Sequence, residues 1–323
     1  MKSISTKGMT REQWLTFRKQ GIGGSDMGKL LGLCPPAWGN PVSLWLEKTG
    51  RAPSFDGNEA TWRGTVLEGP VSERYAEKKG VLIREHKYII IDEINHIGGN
   101  VDRLVLPPGM KAVASKGKIL TPLGLEAKTT KQAIWDLDEV PEYFKAQVQT
   151  YMSLSEALES FDIAALFLGH QDGFEIYHEK RDESVIDFIR CKAREFWERY
   201  IIPDTPPPAE TEEDCKALWR HSTAVTVVAT GSVVDALQEI KSRVAVVKNL
   251  NTEIAEFKAS IMDEMKEADT LTDENGVKLV TWKKAKDSEK TDWEAVVKEI
   301  GANAEIVAKH TKISTGSRRF LTK

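Results

Sequence analysis

Residues 98–130 read GGNVDRLVLPPGMKAVASKGKILTPLGLEAKTT and contain two strand-like segments on either side of a turn-rich stretch. The first is bounded by Gly-Gly and Pro-Pro-Gly, as strands and their turns should be, and the second, GLEAKTT, starts at a glycine. Because residues two apart on a strand point to the same side, Glu126 and Lys128 are predicted to share a face. Asp102 can lie beside them on the neighbouring strand. The stretch therefore predicts a sheet with two carboxylates and a lysine on one face.

Helical and strand patterns alternate on both sides of this stretch. Ahead of it, helix start signals occur at Thr10 with Gln13, at Ser25, at Asn40-Pro41 and near Glu59. After it come a helix from Pro141 to about Leu158, the apolar run DIAALFLGH, the strand GFEIYHEK and a helix from Asp182 to near Tyr200. This order predicts an α/β (α+β) fold with a central mixed β-sheet flanked by helices.

The 323 residues (36.1 kDa) are expected to form a domain over 1–205 and a C-terminal region over 206–323. The Pro-rich, acidic segment IIPDTPPPAETEED marks the boundary. Beyond it we predict a long helix with one apolar stripe from Leu237 to Met265, a hairpin at Asn275-Gly276 and a helix opened by Thr291. Self-association, partner docking and DNA contact are open as roles for this region. Its candidate DNA contacts are Lys283, Lys284, Lys286, Arg318 and Arg319.

Composition limits the class of protein. Hydrophobic residues at 41% and charged residues at 29% exclude collagen-like and disordered chains, and no apolar run approaches the roughly 18 residues of a membrane helix. Cys34, Cys191 and Cys215 form neither a zinc motif nor a disulfide framework, so we expect a cytoplasmic protein without a membrane partner. The net charge of -4 argues at first against nucleic-acid binding. Binding to DNA then requires a local basic surface.

The carboxylates predict a specific chemistry. Two carboxylates on one sheet face repel each other unless a cation lies between them, and hard oxygen ligands favour Mg²⁺ or Mn²⁺. Such a metal activates a bound water and neutralises charge on a phosphodiester, while a lysine two residues on can hold the water. The alternative is a surface ion pair beside an unrelated Asp, because so charged a chain contains many chance matches to this spacing.

Six blocks in order carry a resemblance to a known family. They are RKQGIGGSDMGKLLG, WRGTVLEGPVSERYAE, GGNVDRLV, GLEAKTT, VPEYFKAQVQTYM and FWERYIIPDTPPP. Over about residues 10–205 the chain resembles the lambda-exonuclease and YqaJ-type viral recombinase nucleases of the PD-(D/E)XK superfamily. The resemblance implies a restriction-endonuclease-like core and a metal-dependent exonuclease. Such an enzyme degrades one strand of duplex DNA from the 5′ end and leaves 3′ overhangs for annealing recombination.

The resemblance also implies the catalytic residues. Asp102, Glu126 and the backbone carbonyl of Ala127 would ligate Mg²⁺, for which Mn²⁺ substitutes, and Lys128 would position or activate water. Glu68 would face a second metal ion. On the residues alone, Glu68 is equally well a helix surface charge or the partner of a neighbouring arginine, Arg63 or Arg74.

Two further positions follow from the same resemblance. Gln147 is expected close to the site, whereas Gln149 would point elsewhere because positions two apart do not share a helix face. Arg18 and Ser25 would bind the 5′ phosphate. The physics of the sequence agrees, since Ser25 lies where a glycine turn meets a helix N-terminus, a natural phosphate site. Ser25 can also be an ordinary N-cap that needs no ligand.

One departure from the family affects the site. The interval between Asp102 and Glu126 is long, with an inserted turn or hairpin, so Asp92 is a candidate ligand if the strand register differs. The inserted Lys111, Lys116 and Lys118 could reach DNA or be solvated. The histidines, including His86 and His96, show no metal-ligand spacing, and Cys34 has no His partner in sequence.

Partners and rival functions also come from the resemblance. We expect a ring-shaped homo-oligomer that threads DNA ends, a single-strand annealing partner of the Beta or RecT kind, and a phage or prophage origin. The rivals are a structure- or site-selective endonuclease on the same fold and a non-catalytic DNA-end-binding assembly protein.

Overall fold

The computed structural model describes residues 1–52, 57–131, 135, 137–170, 173–286, 293, 296, 300–301 and 304–311. The predicted helix start at Thr291 and the basic end with Arg318 and Arg319 lie outside these residues. The chain forms two compact units, Met1–Leu218 and Trp219–Lys323. The domain boundary predicted from the sequence, between residues 205 and 206, precedes the division after Leu218, and it stays a prediction.

The first unit combines helices with short strands. The helices are α1 (Arg11–Arg18), α2 (Gly24–Leu30), α3 (Pro41–Lys48), α4 (Glu59–Lys79), α5 (Glu142–Ser153), α6 (Glu183–Phe196) and α7 (Glu212–Leu218). The strands are β1 (Lys2–Ser5), β2 (Leu82–Glu85), β3 (Tyr88–Asp92), β4 (Ile97–Gly99), β5 (Arg103–Leu106), β6 (Ala114–Ser115), β7 (Lys118–Ile119), β8 (Leu123–Thr130), β9 (Ser160–Phe167) and β10 (Phe174–Lys180).

A five-stranded sheet in the order β10-β9-β8-β5-β2 forms the centre of this unit. Strands β8 and β9 are parallel, because α5 connects them as a crossover, and the other neighbours are antiparallel. A second sheet has the order β1-β3-β4, and β6 pairs with β7 in a hairpin within the inserted segment. The predicted α/β fold with a central mixed sheet is confirmed.

Helices cover the sheet because its inner strands carry many buried apolar side chains. Leu125 and Ala164, on the two parallel strands, contact Val71 and Tyr75 of α4, and all four side chains are buried. On the opposite side α5 is itself a core element, and all of its residues from Ala146 to Ser153 are buried. The site therefore lies on a sheet that is held rigidly between helices.

Some predicted helix boundaries differ from the structure. Ser25 does not cap α2: the N-cap is Gly23, whose N–H donates to the Asp26 carboxylate at 2.9 Å. The Asp26 side chain therefore takes the capping role, which leaves the Ser25 hydroxyl for another partner. Helix α5 ends at Ser153, short of Leu158, because backbone bonds from Leu154 and Ser155 turn the chain toward β9.

The second unit contains α8 (Gly231–Met265), the hairpin strands β11 (Thr270–Thr272) and β12 (Lys278–Thr281), and α9 (Ala304–His310). The long helix and the hairpin agree with the sequence prediction, and Gly276 at the turn has a φ of 77°. None of the helices within the described ranges combines the length and apolar character needed to cross a membrane.

Candidate active site

The sheet register places Asp102 beside Glu126. Strand β5 pairs with β8 antiparallel, with Arg103 opposite Leu125. Extending this register by one pair sets Asp102, the residue just before β5, opposite Glu126. Directly opposed residues have Cβ atoms about 5 Å apart, so the two carboxylates are near neighbours. Asp102 itself lies in a backbone bend just before β5.

Glu126 is buried, with 2% of its surface exposed, in a network of three side chains. Its Oε1 accepts a hydrogen bond from Gln147 Nε2 at 2.8 Å and lies 2.8 Å from Lys128 Nζ. Lys128 Nζ also donates to Gln147 Oε1 at 3.0 Å. The second carboxylate oxygen, Oε2, is buried with no hydrogen-bond partner. An unpartnered buried carboxylate oxygen is unfavourable in the protein alone, and it indicates a missing positive ligand.

The ionised form of Asp102 is likewise unfavourable without a cation. Burial, followed by the negative charges of Glu126 and Glu68, raises the pKa of Asp102 to about 8. Glu68 projects from α4 and pairs with Arg103 at 3.3 Å, rather than with Arg63 or Arg74. We call Asp102, Glu126 and Glu68 the carboxylate cluster. Their mutual repulsion would be relieved by a cation among them.

These residues fit a divalent cation. Among the described residues no group of three or more His, Cys, Asp or Glu side chains is close enough to hold a metal ion unaided. Mg²⁺, however, is usually bound by one or two carboxylates with water and substrate phosphate completing its shell. The Asp102 and Glu126 pair, with its buried unpartnered oxygen, has the donor chemistry for such an ion.

A second polar group is built around Arg18 at the end of α1. Arg18 Nη2 donates to Ser25 Oγ at 2.9 Å and to Asp26 Oδ1 at 3.0 Å. The other oxygen of Asp26 accepts from Lys48 Nζ at 2.5 Å, and both of these side chains are at least 95% buried. Although burial alone would raise it, Lys48 and Arg18 hold the pKa of Asp26 well below its usual range. We call Arg18, Ser25, Asp26 and Lys48 the arginine pocket.

One cavity of about 210 Å³ is lined by members of both groups. Its lining includes Arg18, Ser25 and Asp102, together with the aromatic side chains of Trp14, Phe17 and Tyr151. The glycine at position 24 lets α2 pack closely against Tyr151, because a Cβ at this position would lie 2.6 Å from the Tyr151 ring. The cavity therefore presents an arginine and one carboxylate of the cluster to the same space.

The YqaJ-like viral recombinase domain family matches residues 13–157. Protein YqaJ of Bacillus subtilis (strain 168), whose own function is uncharacterized, is 30% identical over 272 residues, covering 81% of this chain and 80% of the relative. The chain belongs to the YqaJ-like viral recombinase family.

Solved structures with similarity to this family member include two exonucleases. An alkaline exonuclease from Laribacter hongkongensis (LHK-Exo) is 18% identical, covers 59% of this chain and 93% of its own, and has a TM-score of 0.47. A phage-related exonuclease from Haemophilus somnus 129PT is 15% identical, covers 57% of this chain and 96% of its own, and has a TM-score of 0.37.

Three site residues of this YqaJ-like protein were not foreseen from its sequence. Asp26 and Lys48 complete the arginine pocket, and Tyr151 accepts a hydrogen bond from Gln147 Nε2 at 3.0 Å. Burial raises the pKa of Tyr151 well above its ordinary value, and the charges of Glu126 and Asp102 act in the same direction. Tyr151 lies one helical turn after Gln147, so the i,i+4 spacing on α5 was the available signal.

Other candidates lie apart from these groups. The Asp92 carboxylate accepts hydrogen bonds from Ile94 N and Asn95 N and so stabilises its own turn. His86 Nε2 contacts the Gly117 carbonyl, and His96 stacks on Trp197. Gln149 bonds to Glu179 and the Lys180 carbonyl, away from the cluster, as its position on α5 predicts. The inserted lysines Lys111, Lys116 and Lys118 are exposed.

Proposed function

We propose that this protein is a metal-dependent double-strand DNA exonuclease that degrades one strand from the 5′ end and leaves a 3′ single-stranded overhang. The observation that carries the proposal is the single cavity lined by Arg18, Ser25 and Asp102, with Glu126 beside it. An arginine suits a terminal phosphate, and a carboxylate pair suits the cation that phosphodiester hydrolysis uses. Membership of a viral recombinase family supports the same reading.

Asp102, Glu126 and the Ala127 carbonyl would hold a first Mg²⁺, and Glu68 would face a second, with Mn²⁺ as a substitute. When bound, such ions generate a nucleophilic water and neutralise charge on the phosphodiester. Lys128 Nζ, which already lies 2.8 Å from Glu126, would hold that water or donate positive charge to the transition state. Gln147 orients both Glu126 and Lys128 through its amide, so it supports the cluster rather than reacting.

Arg18 and Ser25 would bind the terminal 5′ phosphate. The Arg18 guanidinium can bind two phosphate oxygens at once, and its orientation is set by Asp26 before any ligand arrives. Lys48 neutralises Asp26, so that the carboxylate does not repel the phosphate. With Asp26 neutralised by Lys48, the partly exposed Arg18 would supply the local positive charge that DNA binding requires despite the net charge of -4.

The biological setting is part of this proposal. The overhang would be the substrate of a single-strand annealing protein of the Beta or RecT kind, in the cytoplasm of a bacterium that carries the phage or prophage. A ring-shaped homo-oligomer would keep the enzyme on its DNA end through many cleavage steps.

The proposal is tested with linear duplex DNA bearing 5′ phosphates and with a closed circle of the same sequence, each in Mg²⁺ and in EDTA. We expect the linear duplex to be degraded only with Mg²⁺ and the circle to survive. Cleavage of the circle would instead indicate an endonuclease. Tight binding of ends without any product in Mg²⁺ or Mn²⁺ would indicate a non-catalytic assembly protein.

A further inference from the structure

The sequence of helix α8 has an apolar pattern that repeats every seven residues. Five β-branched residues recur at intervals of seven: Val233, Ile240, Val247, Ile254 and Ile261. Four residues after each of them lies a member of a second set: Leu237, Val244, Asn251, Lys258 and Met265. Alternating steps of three and four are the a and d pattern of a coiled coil, and here it runs through most of a 35-residue helix about 52 Å long.

The stripe made by these two sets is exposed. Val244 is 62% exposed, Val247 55%, Ile254 48% and Ile240 40%, and the flanking Phe257 is 71% exposed. So many exposed apolar side chains in one line mark an interaction surface. A strict seven-residue period keeps the stripe facing a second helix that supercoils with it, whereas a straight helix drifts by about 20° per heptad. The period therefore indicates a helical partner with the same repeat.

We propose that α8 pairs with α8 of a second copy of this chain, in antiparallel orientation. The charges on the helix select this partner and direction. The half from 231 to 248 carries three bases, Lys241, Arg243 and Lys248, and two acids, Asp235 and Glu239. The half from 249 to 265 carries four acids, Glu253, Glu256, Asp263 and Glu264, and one base, Lys258. An antiparallel pair sets the basic half of each helix beside the acidic half of the other.

The seam is also self-complementary in this direction. A two-fold axis near Asn249 sets Val244 opposite Ile254 of the other copy, and Leu237 opposite Ile261. Lys258 then faces Ile240 and can extend its ammonium group to water. In a parallel pair Lys258 would face its own copy, and the two acidic halves would lie side by side, which is unfavourable.

The first test measures the molar mass of the full-length protein by light scattering after size-exclusion chromatography. We expect an even number of chains, and half that mass for the double variant Val247→Asp with Ile254→Asp. The matched control, Ser242→Asp with Asn249→Asp, adds the same charge on the opposite face of α8 and should keep the wild-type mass. An odd number of chains, or an unchanged mass in the seam variant, would overturn the pairing.

The second test uses mild substitutions, so that it does not depend on a seam variant folding. Cys34, Cys191 and Cys215 are replaced by serine in the full-length chain, and Leu237→Cys and Ile261→Cys are added singly. The antiparallel pair predicts that the two single variants form a disulfide when mixed and that Ile261→Cys does not cross-link to itself. Cross-linking of Ile261→Cys with itself, or no cross-link in the mixture, would contradict the proposal.

Discussion

The arginine pocket and the carboxylate cluster both contribute residues to the lining of one cavity, yet their charges are balanced differently. In the arginine pocket, Asp26 is paired on both oxygens, by Arg18 and by Lys48. In the carboxylate cluster, one oxygen of Glu126 is buried without a partner, and the pKa of Asp102 is raised to about 8 by burial and by Glu126 and Glu68. The first group is complete as folded, and the second is not.

This difference indicates which kind of ligand each of the two groups can bind. A pre-oriented arginine, held by a carboxylate that is itself neutralised, is ready to bind an anion without rearrangement. Carboxylates whose ionised form is disfavoured by burial and by one another become favourably ionised when a cation binds among them. We therefore expect a cation at the carboxylate cluster and a phosphate at the arginine pocket.

The largest expected effect is on the carboxylate cluster. Glu126→Gln keeps the shape of the side chain but removes the charge that would hold the cation. We expect the rate of digestion of linear duplex to fall about 1,000-fold, since metal contributes several kcal/mol to charge stabilisation. Glu175→Gln, an exposed change on the edge strand β10, is the matched control. Near wild-type digestion by Glu126→Gln would refute the assignment of the cluster.

The second-largest loss of activity is expected for substitution of Lys128. Lys128→Met retains the apolar stem and removes the ammonium group beside Glu126 and Gln147. We expect kcat to fall about 100-fold with little change in KM, because the group acts on the reacting water rather than on DNA binding. Steady-state digestion of an end-labelled duplex gives both constants. A rise in KM alone would show that Lys128 only binds DNA.

Arg18 should affect one class of DNA end. Removing a charge-assisted hydrogen bond costs about 1.5–3 kcal/mol, so Arg18→Ala should raise KM for 5′-phosphorylated duplex about 10-fold or more. For duplex with 5′ hydroxyl ends the variant and wild type should be similar. Equal losses on both kinds of end would mean that Arg18 supports the fold and does not read the phosphate.

Variants of Asp26 and Lys48 distinguish a role in orienting Arg18 from a role in stabilising the fold. Asp26→Asn alone leaves Lys48 as an unpaired buried cation, which can unfold the region. The double variant Asp26→Asn with Lys48→Met removes both charges, and we expect it to fold. Because Arg18 then lacks its anchor, the preference for 5′-phosphorylated over hydroxyl ends should fall about three-fold to five-fold. An unchanged preference in a folded double variant would show a purely structural role for the pair.

The smallest effect concerns acid stability. Lys48 and Arg18 lower the pKa of Asp26 in the folded protein. The ionised Asp26 therefore stabilises the fold at pH values above 3.8, the ordinary pKa of an Asp, and this contribution is lost progressively as the pH falls below 3.8. The melting temperature of the wild type should therefore fall more steeply between pH 4 and pH 3 than that of the double variant. Parallel curves from thermal denaturation would contradict this.

Local patterns in the sequence predicted much of this site. The two-residue period of β8 predicts that Glu126 and Lys128 share a face, and the structure places them 2.8 Å apart. The place of Gln147 at the site was implied by the family resemblance, and the helical period predicted that Gln149 would point elsewhere. The α/β fold follows from the alternation of strand and helix patterns, each of which is decided by residues near in sequence.

The rest depends on contacts between residues that are distant in sequence. Lys48 lies 22 positions from Asp26, and Glu68 lies 35 from Arg103, so no local period brings them together. Ser25 was open between a cap and a phosphate ligand. The structure gives the cap to Asp26, because a carboxylate at the third helical position reaches back to Gly23 N.

The most direct test follows the two strands of one linear duplex, labelled separately at its 5′ and 3′ ends, in Mg²⁺ and with or without a 5′ phosphate. We expect the 5′ label to be released first, and faster from phosphorylated ends, and we expect EDTA to stop the reaction. First release of the 3′ label, or digestion that continues in EDTA, would contradict it.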